Sequence, residues 1–240
     1  ADRHAVDVAT AFHAGDGNLH PGVHYDDRDP EATRNAHAAA AEIIAAALAR
    51  GGSATGEHGV GLEKLAALPR QFDAEHARLL RGIAGAFDPA GLLNPGKRLP
   101  PARADYRPPQ PPPARIEIHR DRLYVRAPAD ARVADVQQQA LAQGLWLPVG
   151  ALIDGMVGRP RLGGATTIDD LVDGLLGGPP LLAAGTSRDF ILEYWGRTGD
   201  DRPFHCGAPV LKNVAGYGLA PALCGAGGCF ARCLGATFQL

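Results

Sequence analysis

His13 and His20 stand seven residues apart in HAGDGNLH, and 37 residues after His20 the segment GEHGVG sets Glu57 and His58 between Gly56 and Gly59. A short turn between the two histidines can direct both toward one point. Glycines flanking Glu57 and His58 permit unusual backbone angles and the close approach of another group. Two imidazoles and one carboxylate make the ligand set of an open catalytic metal site, with a position left for substrate. Histidines beside surface turns share the same residue types, so spacing alone leaves both readings open.

The elements that must hold these residues are legible in the first 98 positions. AVDVATAFHA and NLHPGVHY are apolar, strand-like runs joined by GDGN, which carries the Gly/Asn/Asp chemistry of a tight hairpin. A helix is predicted from Pro30, with Asp29 as its cap, Glu31 in the first turn and Gly51 as its stop. Ile43, Ile44, Ala47 and Leu48 then share one face. A second helix is predicted after Asp73, through Leu79, Leu80 and Ile83 to Phe87, ending before Asp88-Pro89.

Residues 99–115 read LPPARADYRPPQPPPAR, with seven prolines in seventeen positions. Such a stretch favours extended polyproline geometry and is predicted to be a linker between segments 1–98 and 116–240. Beyond it, RIEIHRDRLYVRAP suggests a hairpin, VADVQQQALAQGLWLP a helix closed by Gly144, and ATTIDDLVDGLL another helix. RDFILEYWG and GCFARCLGATFQL suggest strands. The fold class expected is α+β in two lobes.

Composition narrows the function classes. With 24 Lys+Arg against 26 Asp+Glu, the chain lacks the basic footprint of a nucleic-acid binder. No apolar run approaches the roughly 20 residues of a transmembrane helix. The N-terminal ADRHAVDV has no apolar signal core, which points to the cytoplasm. Cys206, Cys224, Cys229 and Cys233 contain no CxxC pair, and suit small buried residues in a glycine-rich wall better than a structural zinc. His24, His37, His76, His119 and His205 have no motif around them and are expected to be surface or locally bonded.

Three motifs in order carry a resemblance: FHAGDGNLHP (Phe12 to Pro21), GGSATGEHGVGLEK (Gly51 to Lys64) and FDPAGLLNPGK (Phe87 to Lys97). They are similar to the C-terminal part of the FAD-linked 2-hydroxyacid oxidases, a family that includes the large subunit of glycolate oxidase and D-lactate dehydrogenase. The resemblance implies that His13, His20 and Glu57 bind a divalent metal, zinc or manganese. It also implies that His58 acts as base on the substrate hydroxyl, that Asn18 orients the substrate and that Asn94 lies near the flavin. Residues 1–98 would then form the metal-bearing substrate lobe.

A second resemblance covers Arg188 to Leu240, with LKNVAGYGL (Leu211 to Leu219) and GAGGC (Gly225 to Cys229) as its most specific parts. This region is similar to the FAD-binding subunit of glycolate oxidase. It implies a partial FAD-binding lobe over 116–240, with Lys212, Asn213, Gly225 and Gly227 near the cofactor. The sequence departs from that pattern between 99 and 160, where the glycine-rich pyrophosphate loop has no counterpart. It departs again at Thr167-Ile168-Asp169-Asp170, where the family carries a Gly-Gly pair. The resemblance implies FAD-dependent oxidation of a small 2-hydroxy acid of glycolate or D-lactate type, with FAD supplied by or shared with a partner chain. Other subunits of a glycolate-oxidase-like complex are the expected partners and the route to any peripheral membrane attachment. The rival expectation is a flavin-free structural or assembly subunit, or a fragment of such a complex.

Overall fold

A computed structural model describes residues 2–148, 166–174 and 186–240. Two compact units divide the chain. Unit 1 comprises Ala1–Asp73, Ala77–Arg107 and Val210–Tyr217; unit 2 comprises Ala74–His76, Pro108–Pro209 and Gly218–Leu240. The chain therefore leaves unit 2 after Pro209, lends eight residues to unit 1, and returns at Gly218.

Unit 1 begins with an antiparallel hairpin, β1 (Asp7–His13) and β2 (Asn18–His24), as its alternation and turn residues predict. The register pairs His13 with Asn18, Phe12 with Leu19 and Ala11 with His20. Successive side chains point to opposite faces, so His13, Asn18 and His20 share one face. The other face carries Val8 and Val23, which pack against a small core of Val6, Ala36 and Ala39. Nearer the turn that same face leaves Phe12 and Leu19 exposed.

Helix α1 spans Pro30–Ala49, with the Asp29 carboxylate accepting from the Glu31 amide at 2.8 Å. Proline at the first position and an aspartate cap explain this start. Its fully buried residues are the small Ala36 and Ala39, while Ile43, Ile44, Ala47 and Leu48 are half-buried. Short α2 (Leu68–Gln71) and then α3 (Ala74–Phe87) follow. Residues after α3 run back along α3 and α2, since the Arg81 guanidinium of α3 donates to the Pro101 carbonyl at 3.2 Å and the Arg107 amide to the Pro69 carbonyl of α2 at 2.9 Å.

Unit 2 is a five-stranded antiparallel sheet in the order β3-β4-β7-β5-β6. Its strands are β3 (Glu117–His119), β4 (Tyr124–Pro128), β5 (Ile191–Thr198), β6 (Pro203–Gly207) and β7 (Ala231–Gln239). Helices α4 (Val133–Leu141), α5 (Ile168–Asp173), α6 (Ser187–Phe190) and α7 (Leu219–Leu223) belong to the same unit. Val125, Val136, Leu171, Phe204 and Phe238 are among its most buried side chains. Pro113 packs against Gly235, whose Cα could not carry a side chain there because an added Cβ would meet the ring at 2.7 Å.

Several elements differ from the sequence reading. Arg188–Phe190 forms a helical turn, because the Asp189 carboxylate accepts from the Thr186 amide at 2.7 Å and stabilises a helix start. Strand β6 was not expected, since its proline start and lone aromatic carry little alternation. Of the histidines expected to be surface or locally bonded, His76 and His205 are buried, and His205 is bonded to Glu193 on the neighbouring strand. The end of the predicted helix over ATTIDDLVDGLL lies outside the described residues beyond Gly174. Among the described residues, no helix is long and apolar enough to cross a membrane, and all four cysteines are free, with only Cys229 exposed.

Candidate metal centre

The hairpin and the glycine-flanked loop meet in unit 1. His13 and His20 are diagonal neighbours on one face of a two-stranded ladder, a relation that keeps long side chains within reach. Their ring centroids stand 5.1 Å apart in an edge-on arrangement. Glu57 Oε1 lies 3.0 Å from His20 Nε2 and 3.5 Å from His13 Nε2. One ligand atom from each of the three lies within 4.8 Å of the others, a spacing that suits a single ion. Two imidazoles and one carboxylate, partly open to solvent, fit a divalent metal with room for an exchangeable ligand.

His58 sits beside this group. Its Nε2 is 3.7 Å from Glu57 Oε1, and its ring centroid is 4.9 Å from that of His20. Adjacent residues in an extended segment would face opposite ways. Here both side chains reach one side, and Gly59, the next residue, adopts φ +82°, a conformation rarely open to other residues. Gly56 serves differently: an added Cβ would meet Asn18 Cγ at 2.9 Å. Asn18 in turn lies 3.3 Å through its amide nitrogen from His20 Nε2. The asparagine thus sits wedged between the loop and His20.

Lys212 is the participant that sequence reasoning placed elsewhere. Its ammonium donates to Glu57 Oε2 at 2.8 Å and pairs with Asp16 Oδ2 at 3.1 Å. Asp16 Oδ1 also accepts from the Asn18 amide at 3.1 Å, closing the hairpin turn. The Lys212 hydrogen bond holds the Glu57 carboxyl below the usual carboxylate range, against a smaller effect of burial. Burial works to raise Asp16, but the Lys212 and Asn18 hydrogen bonds together leave it lowered. Bonds to Glu57 and then Asp16 raise the Lys212 ammonium. Asp16 could have been suspected from its place between the two histidines. A contact spanning 155 residues, by contrast, leaves no local signal.

Asn213 anchors the segment that delivers the lysine. Its side-chain oxygen accepts from Ser53 Oγ at 2.7 Å, from the Gln71 amide at 3.3 Å and from the Ala215 N–H at 3.2 Å. Gln71, itself buried, accepts from the Ala54 N–H at 2.9 Å, and the Val214 N–H donates to the Thr55 carbonyl at 3.2 Å. Gly216 rests on Leu80, where a Cβ would come within 2.7 Å.

The remaining expected cofactor residues are Asn94 of unit 1 and Gly225 and Gly227 of unit 2. Asn94 is exposed at φ 50°, and its carbonyl accepts from the Lys97 amide. In unit 2 the amides of Gly225 and Gly227 donate to the carbonyls of Val172 and Asp173 at 2.8 and 3.3 Å. The Asp173 carboxylate accepts from the Gly228 amide, yet burial keeps that carboxyl above its usual range. Burial, followed by Asp173 and Asp170, lifts Asp169 likewise. Asp170 is taken up in a capping box with Thr167, the N-cap of α5: its carboxylate accepts from the Thr167 amide, and its own amide donates to Thr167 Oγ1. A turn whose amides are committed and whose neighbours are carboxylates does not fit a pyrophosphate.

Residues 1–98 match the family of FAD linked oxidases, C-terminal domain. Three relatives show the extent of the likeness. Glycolate oxidase subunit GlcD of Escherichia coli (strain K12) is 42% identical over 93 residues, covering 39% of this chain and 19% of that protein. The mitochondrial D-lactate dehydrogenase [cytochrome] of Arabidopsis thaliana is 37% identical over 89 residues, covering 37% of this chain and 16% of that protein. D-2-hydroxyglutarate dehydrogenase of Xanthomonas citri pv. viticola is 44% identical over 97 residues, covering 38% of this chain and 20% of that protein. The chain spans about a fifth of the length of the curated relatives it matches. Residues 1–98 are therefore similar to the C-terminal domain of FAD linked oxidases, and the relatives that share this stretch are themselves named as oxidases and dehydrogenases.

Proposed function

We propose that this chain supplies the metal-bearing substrate half of a FAD-linked oxidation of a small 2-hydroxy acid, of glycolate or D-lactate type. The observation that carries the reading is the gathering of His13, His20 and Glu57 within 4.8 Å, with His58 beside them. A divalent ion held there, zinc or manganese, supplies a Lewis acid that lowers the pKa of a hydroxyl it binds. His58 keeps a ring nitrogen free of the three-ligand group and takes the hydroxyl proton as general base. Asn18, which flanks His20, orients the acid by hydrogen bonding. FAD is the family's cofactor, and in this reading it is held by a companion subunit of a glycolate-oxidase-like complex.

Metal content tests the reading first. The purified chain is expected to hold about one divalent ion, and Glu57→Gln to lose most of it. Turnover tests the base: in a complex with its flavin-bearing companion, His58→Ala should abolish oxidation while metal content stays intact. An empty site in His58→Ala would make His58 a ligand instead. Unchanged turnover would remove it from the chemistry.

A second reading, a flavin-free structural or assembly subunit, is supported by the committed amides of Gly225 and Gly227. It predicts that Glu57→Gln and His58→Ala leave the activity of the assembled complex unchanged.

A further inference from the structure

We propose that Lys212 is a positioning residue of the metal centre, fixing Glu57 so that only Oε1 is offered to the ion. This inference rests on the metal reading above and extends it to a segment outside residues 1–98. Glu57 divides its oxygens: Oε1 faces the three imidazoles, and Oε2 faces Lys212 Nζ at 2.8 Å. A free carboxylate can rotate and present either oxygen or both. A charge-assisted bond to one oxygen removes that choice.

The lysine is itself held in place. Asp16 takes its ammonium at 3.1 Å, and the Asx bond from the Asn18 amide steadies Asp16. The backbone next to Lys212 is tied down through Asn213 to Ser53 and Gln71. The links run to the histidine hairpin through Asp16, to the loop that carries Glu57 through Ser53, and to the end of α2 through Gln71, which itself bonds that loop at Ala54.

Two effects oppose each other when Lys212 is removed. Losing a positive charge leaves Glu57 and Asp16 as two carboxylates with no cation between them, which by charge alone favours a metal ion. Losing the bond frees Glu57 from its geometry. Partners that orient ligating groups typically contribute 10–100-fold to metal affinity, and we assign the larger effect to geometry on that ground.

The test titrates the metal-stripped full chain with Zn²⁺ against a competing chromophoric chelator. Lys212→Met is expected to weaken Zn²⁺ binding by about 10–100-fold, and Lys212→Arg, which can still bridge two carboxylates, to restore most of it. The visible spectrum of the Co²⁺-loaded protein should change in Lys212→Met, as Glu57 becomes free to ligate through both oxygens, and return in Lys212→Arg. Circular dichroism melting of the stripped proteins establishes that the variants are folded. Should Lys212→Met not fold, Asp16→Asn removes the second anchor of the lysine and is expected to weaken Zn²⁺ binding in the same direction. Zn²⁺ binding by folded Lys212→Met as tight as wild type or tighter, with an unaltered Co²⁺ spectrum, would overturn the proposal while leaving the metal reading intact, provided Glu57→Gln still loses the ion. A folded wild-type chain that binds no Zn²⁺ at all would remove both.

Discussion

Asn18 has two jobs that its small size allows it to combine. It flanks His20 at 3.3 Å, and its side chain occupies the space above Gly56. Any side chain at 56 must displace it. Gly56→Ala is therefore expected to weaken metal binding without unfolding the hairpin, because the collision falls on the end of a side chain rather than on backbone. The check is the same zinc competition, alongside Asn18→Ala in a Gly56→Ala background. If the two effects are coupled, the double variant will bind metal about as well as Asn18→Ala alone. Simple addition of the two losses would place the Gly56 effect elsewhere. The histidine pair was legible in the sequence because strand alternation and a turn of known chemistry fix which side chains share a face. Glu57 was legible as a candidate, since the glycines around it announce an unusual backbone. Lys212 and Asp16 were not paired in advance because nothing local joins them.

The elements of unit 2 converge on a different charged group, buried in the sheet itself. Glu193 on β5 is 1% exposed. It accepts from the Arg126 guanidinium of β4 at 3.0 Å and from Thr237 Oγ1 of β7 at 2.6 Å, and it lies 3.2 Å from His205 Nε2 of β6. Arg126 also lies over the Tyr124 and Trp195 rings at 5.4 and 5.6 Å. Four strands thus share one carboxylate. His205, with no motif around it, could not be assigned here from sequence, since its role depends on strand β6, which carries little alternation of its own. Burial works to raise Glu193, but the hydrogen bond and charge of His205, then Arg126 and Thr237, outweigh it and leave the carboxyl below its ordinary value. The sign of the pH dependence follows. A carboxyl lowered on folding contributes stability that is fully present above its unfolded value, about 4.3, and is lost as pH falls through the folded value. Unit 2 should therefore lose stability on acidification below about pH 4, and Glu193→Gln should remove that part of the dependence. Glu193→Gln also leaves Arg126 without its counter-charge, at a cost of about 3 kcal/mol at neutral pH. Both tryptophans, Trp146 and Trp195, belong to unit 2, so their fluorescence in denaturant reports this unit. An unchanged midpoint would mean that the cluster contributes nothing net. The 210–217 segment makes the companion case for unit 1. Asn213→Ala removes an acceptor shared by Ser53, Gln71 and the Ala215 amide, and should cost roughly 1–3 kcal/mol. Faster hydrogen exchange at the Val214 and Ala215 amides, together with weaker zinc binding, is the expected result.

Across the whole molecule, the two resemblances in the sequence meet different fates in physical terms. The first rests on side chains that the fold gathers into one cluster, with Lys212 of the 210–217 segment bonded to its carboxylate. The second rests largely on glycines, and a glycine motif binds phosphate only when its amides are free and its surroundings carry no negative charge. In unit 2 the amides of Gly225 and Gly227 are committed to the end of α5, and Asp169, Asp170 and Asp173 stand in or beside that helix. Sequence alone could name the motif and notice the two aspartates, but whether the amides were spent depended on where α5 ended. The expected consequence is a separation of the two cofactors. The purified full chain should carry about one divalent ion and yet be colourless, without the visible absorption band of a bound flavin. Added FAD should wash off on gel filtration, while the metal stays. In a mixture with a flavin-bearing companion subunit, colour should follow the companion through separation. A stable yellow preparation of this chain alone, with FAD in stoichiometric amount, would require the 225–228 turn to release its bonds to Val172 and Asp173, and would overturn the assignment of the flavin to another chain.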